Sequence, residues 1–433
     1  METRQDMSSN HPGAQPDRAA RAHFEALDAA DPLAAVRDRF VIPDGVVYLD
    51  GNSLGPMPRT VAPRMRDAVE QQWAQGLIRS WNDADWYRAP QRAAARIAGL
   101  IGAQPDEVIV GDSTSVNLFK LLMAACDIQR RQSPLRRVIV AERGNFPTDV
   151  YIDAAVAALL GMELVCPQQD DVPAAIAAAG DRLALVQLTH VNYRSGQRYD
   201  MAGITRQAQA LGGLVLWDLA HTAGAMPVAL DALGVDFAVG CGYKYLNGGP
   251  GAPAFSFAAK RWIAELRQPL VGWHGHARPF EFEHDYEPAP GIERLLCGTA
   301  PQLSLIALET ALAAFDGVEL QAVRDKSVAL TSAFIERVDA ELAAHGFGLA
   351  TPREADRRGS QVSLTHPQGY AIMQALIARG VIGDFRAPDI LRFGFAPLYV
   401  RFVDVFDAVR TLRAIMDGSE WNRPQFLTRK AVT

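Results

Sequence analysis

Leu214-Val215-Leu216-Trp217-Asp218-Leu219-Ala220-His221 reads as a strand of buried type that ends on a carboxylate. Lys244 follows that carboxylate by 26 residues, in Gly242-Tyr243-Lys244-Tyr245-Leu246-Asn247-Gly248-Gly249-Pro250-Gly251. A strand with no polar face needs cover on both sides. Outward from it, short apolar segments of the same kind recur at Val108–Val110, Val138–Ala141, Glu163–Val165, Leu183–Leu188, Phe237–Val239 and Ala254–Phe257. Between several of them apolar residues repeat at helical spacing, as in Val116, Phe119 and Met123. Alternating strands and helices predict an α/β fold, with a mostly parallel seven-stranded sheet in a large domain. Such sheets bind ligands at the carboxyl ends of their strands, which is where Asp218 and Lys244 fall.

Beyond this core the pattern changes. Residues 1–20, rich in Ser, Pro, Gly and charge, read as a disordered tail. A helical pattern around Ala19–Arg39 leads to a short strand, Val46–Leu49, and then to the turn-forming run Asp50-Gly51-Asn52-Ser53-Leu54-Gly55-Pro56. After about Ala259 the pattern loosens through Trp273–Pro290. Helices follow at about Ala300–Phe315 and Leu320–Gly346, then an α+β tail holding Gln361–Thr365, Ala371–Arg379 and Arg392–Phe395. The division expected is a tail (1–20), an N-terminal segment with the large domain (21–319) and a smaller C-terminal domain (320–433).

Composition narrows the function. The chain of 433 residues has a net charge of −6 and no long Lys/Arg run, which argues against nucleic acid or an anionic membrane as partner. Its four cysteines, Cys126, Cys166, Cys241 and Cys297, form no CxxC pair, so neither a metal site nor a disulfide framework is expected. The first residues lack the apolar core of a signal peptide, and the longest apolar stretches, such as Ala154–Met162, are about half a membrane span. A cytoplasmic protein is the expectation.

An Asp at one strand end and a Lys near a neighbouring strand end suit pyridoxal 5'-phosphate. The amine would bond the cofactor's aldehyde carbon, and the carboxylate would keep the pyridine nitrogen protonated. The alternative for Asp218 is an ordinary loop or capping carboxylate. Gly111-Asp112-Ser113-Thr114-Ser115-Val116-Asn117, between a strand and an amphipathic helix, offers hydroxyls and free N–H groups to a phosphate, although simple capping by Ser113 or Thr114 explains it equally. In Asn145-Phe146-Pro147-Thr148-Asp149 an aromatic ring could stack on a planar cofactor, or Phe146 could serve as a hydrophobic staple.

Taken with Leu188-Thr189-His190-Val191-Asn192-Tyr193-Arg194-Ser195-Gly196 and Arg392-Phe393-Gly394-Phe395-Ala396-Pro397-Leu398-Tyr399, these motifs resemble the kynureninase family, in its bacterial branch, from near residue 45 to near 415. The resemblance implies a fold-type I pyridoxal-phosphate enzyme. Its reaction would be hydrolytic cleavage of the Cβ–Cγ bond of L-kynurenine or its 3-hydroxy analogue in tryptophan degradation. A homodimer with shared active sites is also implied. Residue by residue, Lys244 would bond the cofactor, Asp218 would partner its ring nitrogen and Tyr243 would touch the phosphate and donate a proton. Thr114 and Ser115 would hold the phosphate, Phe146 would stack on the ring, and Asp149, Thr189 and His221 would contact the cofactor. Trp273 and Thr299 would serve the neighbouring subunit's site. Arg392 would take the substrate α-carboxylate, with Asn52 and Ser53 nearby; the alternative for Arg392 is a structural pair with a carboxylate such as Asp384. Trp81 and Trp86 are candidates for the aryl pocket. The rivals are a cysteine desulfurase or selenocysteine lyase, which needs an accessible cysteine, an aminotransferase, and a non-enzymatic regulator.

Overall fold

The computed structural model describes residues 14–429. Its central sheet holds seven strands: β2 (Val108–Val110), β3 (Val138–Ala141), β4 (Glu163–Val165), β5 (Leu183–Thr189), β6 (Leu214–Asp218), β7 (Phe237–Gly240) and β8 (Phe255–Ala258), following a two-residue β1 (Val47–Tyr48). Their spatial order is β2-β8-β7-β6-β5-β3-β4. Only β8 runs against the rest, pairing antiparallel with both β2 and β7. Side chains alternate between the two faces, and both faces are buried. Val108 and Val110 join one core with Val138, Val140, Val215 and Trp217. Ile109 joins the other with Ile139, Leu214, Leu216 and the helix residues Leu118, Leu121 and Leu122. That two-sided cover is why the strands read as unbroken apolar runs.

A second sheet of four strands, in the order β12-β13-β10-β9, gathers β9 (Gly348–Leu349), β10 (Gln361–Thr365), β12 (Asp384–Arg386) and β13 (Ile390–Gly394). The long helix Leu320–Glu341 leads into it. The two-residue β11 (Val381–Ile382) pairs in parallel with β1, and Gly394 N–H donates to the Leu49 carbonyl at 2.7 Å. The N-terminal segment thus packs on the C-terminal elements, not only on the large sheet.

One expectation changes. A helix over Ala14–Ala29 begins within the stretch read as tail, while residues 1–13 lie outside the described residues. The helix is held by tertiary contacts that composition does not reveal: Phe24 packs on Phe406 at 5.8 Å, and Asp17 pairs with Arg413 at 3.1 Å. The helical pattern around Ala19–Arg39 is in fact two pieces, separated near Pro32, the second a 3-10 turn over Ala34–Arg39.

Candidate active site

Strand register brings the site together. Thr189 at the end of β5 lies opposite Asp218 at the end of β6, and Asp218 lies opposite Val239 near the end of β7. Lys244 sits on the turn just beyond β7, closed by bonds from Asn247 N–H to the Lys244 carbonyl (3.0 Å) and from Gly248 N–H to the Gly242 carbonyl (2.9 Å). Asn247 takes a left-handed φ of 58°, a conformation Asn tolerates better than most residues. A small pocket of about 70 Å³ opens there, lined among others by Thr114, Ser115, Phe146, Tyr193, Asp218 and Lys244. Asp149, Thr189, His221 and Tyr243 complete its expected walls.

Nζ of Lys244 lies 6.0 Å from the centre of the Phe146 ring and 5.9 Å from that of Tyr243. It has no hydrogen bond or ion pair among the described residues. Asp218 is buried; its Oδ1 accepts from Ala220 N–H at 2.7 Å. Burial raises its pKa, and the Lys244 charge pulls the other way. Asp149 is fixed through Oδ2 by Asn145 and Gln187, both at 3.1 Å, and by Thr189 at 3.3 Å. Burial, with the neighbouring Asp218 charge, pushes its carboxyl up to about 8. Nδ1 of His221 is buried without a partner, and burial, with Lys244, Arg392 and Arg386 nearby, keeps the ring neutral.

The helix N-terminus at the pocket is equally specific. Helix Thr114–Gln132 starts at the pocket, with Ser113 Oγ accepting from Val116 N–H at 3.3 Å. Asp112, one residue earlier, would repel an anion. The fully buried Lys120 pairs with it at 2.6 Å and donates to the Leu295 carbonyl at 2.6 Å. The negative charge is neutralised and turned aside, so the helix N-terminus keeps its affinity for anions. Buried acids without an ion pair among the described residues, facing a helix N-terminus with free hydroxyls, fit a ligand with a basic ring nitrogen at one end and a phosphate at the other.

Arg392 is placed differently from the simplest expectation. Its guanidinium holds Asp384 through Nε at 2.7 Å and through Nη2, while also donating to Ser53 Oγ (2.7 Å) and the Tyr193 carbonyl (2.8 Å). The structural pairing with Asp384 is therefore realised, and four of the five N–H groups are engaged. Arg386 shares the same carboxylate at 2.8 Å. Asn52 is buried, with Nδ2 bonded to Gln361 at 3.2 Å and Oδ1 unpartnered. The arginine group adjoins the Lys244 pocket through Tyr193, whose ring meets Phe146 edge-on at 5.2 Å.

Trp273 and Thr299 do not line this pocket. Trp273 stacks on His274 at 5.0 Å, and Thr299 is exposed. Trp81 and Trp86 contact each other at 6.1 Å and also stand apart from it. The sequence reading gave no role to Arg386, Tyr193 or Glu142. The alternation Asp384-Phe385-Arg386 was the available signal for the first, since it puts both charges on one face of a strand. Glu142 follows β3 and is buried; its Oε1 accepts from Asn192 Nδ2 at 2.9 Å, tying the Phe146 loop to the Tyr193 loop.

Fold and pocket define a class, the fold-type I enzymes that use pyridoxal phosphate. Solved structures of similar fold include a cysteine desulfurase from Thermococcus onnurineus NA1, with a TM-score of 0.75 at 18% identity over 89% of this chain and 98% of that one. Another is a C-DES mutant with glycine covalently linked to the PLP cofactor, with a TM-score of 0.75 at 18% identity over 87% of this chain and 98% of that one. Curated relatives are far nearer in sequence. A kynureninase of Burkholderia mallei is 52% identical over 94% of this chain and 98% of its own length, and one of Pseudomonas fluorescens 49% over the same shares. Residues 323–412 match the family model described as the kynureninase C-terminal domain. The chain belongs to the kynureninase family.

Proposed function

We propose that Lys244, Asp218 and Tyr243 carry the family's reaction, hydrolysis of the Cβ–Cγ bond of L-kynurenine, and of its 3-hydroxy analogue, to the anthranilate and L-alanine. The observation that carries this reading is the unpaired amine of Lys244 in a pocket shared with the buried carboxyl of Asp218. Pyridoxal phosphate, when bound, supplies an electron sink for the bonds around the amino-acid carbon. Asp218 holds the proton on the ring nitrogen, a role suited to a carboxyl that no protein cation neutralises directly. Thr114, Ser115 and Tyr243 hold the phosphate at the helix N-terminus, Phe146 covers the ring face, and Asp149, Thr189 and His221 fix its edges. Lys244 removes and returns the proton at Cα. Tyr243, beside it, donates a proton to the carbon side of the cleaved bond. One water is consumed, its oxygen ending on the aryl carboxylate. Arg392, with Asn52 and Ser53, receives the substrate α-carboxylate through its remaining N–H, with Arg386 adding charge.

The desulfurase alternative needs an accessible nucleophilic cysteine. Cys126 and Cys241 are buried, burial pushes the Cys126 thiol up to about 12, and no cysteine lines the Lys244 pocket. We place Trp273 and Thr299 in a partner subunit's site, within a homodimer. Supporting this, their segment exposes Leu270, Val271, Phe280 and Phe282. The domain division at residue 320 is kept, supported by the match of 323–412 to a C-terminal domain. A cytoplasmic location is also kept; no helix among the described residues is long and apolar enough to cross a membrane.

The test is spectroscopic and kinetic. Protein supplied with the cofactor shows a visible band that Lys244→Ala abolishes, and it releases fluorescent anthranilate from kynurenine. A colourless protein, or one that releases sulfide from cysteine instead, overturns the reading.

A further inference from the structure

The substrate end of the pocket holds more charged groups than carboxylate binding by one arginine requires. Asp384 on β12 is in register with Arg392 on β13, so Arg392 and Arg386 both converge on one carboxylate. Asp50 approaches the same group from the N-terminal segment, where its backbone bridges Gly394, two residues beyond Arg392. The groups that face its carboxyl are Ser53 from its own loop, Asp384 and Arg386 from β12, Arg392 from β13, and the phenols Tyr48, Tyr245 and Tyr399. Among the described residues it forms no ion pair with either arginine, although both pair with Asp384. Its Oδ1 is buried with no hydrogen-bond partner.

An ionised carboxylate buried with one oxygen lacking a donor is unfavourable even with the hydrogen bond from Ser53, and the Asp384 charge beside it adds repulsion. The arginines oppose both effects at longer range. Burial comes out ahead, and the Asp50 carboxyl is pushed up to about 7. Counting charges then distinguishes two states. With Asp50 neutral, two arginines and one Asp384 carboxylate leave a single positive charge, which one substrate carboxylate neutralises. With Asp50 ionised, the group is already neutral and an incoming carboxylate leaves it negative.

We propose that Asp50 is a further positioning residue for the substrate: it keeps its proton beside Arg386 and Arg392 while the α-carboxylate is bound, so that anion and proton enter the site together. The inference rests on the placement of that carboxylate at Arg392. Linkage is reciprocal, so whatever disfavours the proton on Asp50 weakens substrate binding by the same factor.

The experiment uses the cofactor-loaded enzyme and an aryl-ketone carboxylate that matches the substrate but lacks its α-amine. This probe cannot condense with the cofactor, and it has no amine to titrate. Its inhibition constant is measured from mildly acid to mildly alkaline pH. For the wild type it is expected to be flat below neutrality and to rise by about tenfold per pH unit above the Asp50 transition. For Asp50→Asn it is expected to stay flat. A flat wild-type profile, or the same rise in the variant, overturns the proposal. If Asp50→Asn does not fold, an indicator dye reports proton uptake by the wild type when the probe binds at alkaline pH. Close to one proton per site is expected, and no uptake overturns the proposal. Arg392→Lys separates the two readings. If it leaves the inhibition constant unchanged, the carboxylate placement itself is wrong; if it weakens the probe while Asp50→Asn has no effect on the profile, only the role of Asp50 fails.

Discussion

Glu142→Gln separates burial from charge beside the pocket. Glu142 is 2% exposed, accepts from Asn192 through Oε1, and leaves Oε2 buried without a partner. Burial pushes its carboxyl from 4.5 to about 7, opposed by the hydrogen bond from Asn192 and the nearby Tyr199 phenol. For an acid whose folded value lies above its unfolded one, the fold favours the protonated form. Its stabilising contribution is therefore complete below the unfolded value, declines as pH rises from 4.5 to about 7, and is level above that. At about 1.36 kcal/mol per unit, the shift amounts to roughly 3 kcal/mol.

Glutamine keeps the shape and stays neutral at every pH, so it lacks this decline. Thermal unfolding of both proteins, each saturated with cofactor, across that pH range is the assay. The variant's Tm should gain on the wild type by a few degrees between the acid and neutral ends. An imperfect hydrogen bond from the glutamine amide would shift the variant by a constant and leave the slope intact. Parallel curves would refute the reasoning, because they would mean that Glu142 is ionised in the fold despite its burial.

Three further outcomes follow from the same geometry. Lys120→Met leaves the Asp112 carboxylate unpaired beside the phosphate end, so cofactor affinity should fall by about tenfold or more in an absorbance titration of the apoenzyme; unchanged affinity would show that Asp112 does not face the phosphate. Gly55→Ala drives a methyl group into the Lys244 carbonyl and Asn247 Oδ1, so the Lys244 turn must move. Its kcat should drop by about a hundredfold, as expected for misplacement on the ångström scale, and wild-type kcat would contradict the contact. Asp218→Asn should keep bound cofactor but lose at least about a hundredfold in kcat, and retention of activity would remove Asp218 from its role.

The sheet was legible because each strand is buried on both faces, so burial wrote itself into the sequence as unbroken apolar runs. Asp218 and Lys244 were legible for a related reason, since a charged residue at the end of such a run has few places to go other than the carboxyl edge of the sheet. The helix at Ala14–Ala29 was not, because what holds it is Phe406 and Arg413, nearly four hundred residues away. The arginine group was half legible. Arg392 stood out within a motif, but its engagement with Asp384 depends on the register of two antiparallel strands, which no local pattern encodes. Lys120 was hidden for the opposite reason: six residues into the helix after Thr114 it looks like an ordinary polar position, and only tertiary structure buries it completely.

The buried acids near the site divide into two groups with opposite logic. Asp149 and Asp218, at the ring end, form no ion pair among the described residues, and Lys244 is the cation near Asp218, so their protons can be displaced by a ligand that brings positive charge of its own. Asp50 and Asp384, at the carboxylate end, face two arginines, and there the acids set how much positive charge is left for an anion. A substrate carrying a carboxylate, joined to a cofactor carrying a basic nitrogen, meets the opposite sign at each end. The net charge of −6 is a poor guide to such a site, because binding depends on how the fold pairs or strands individual carboxyls within it.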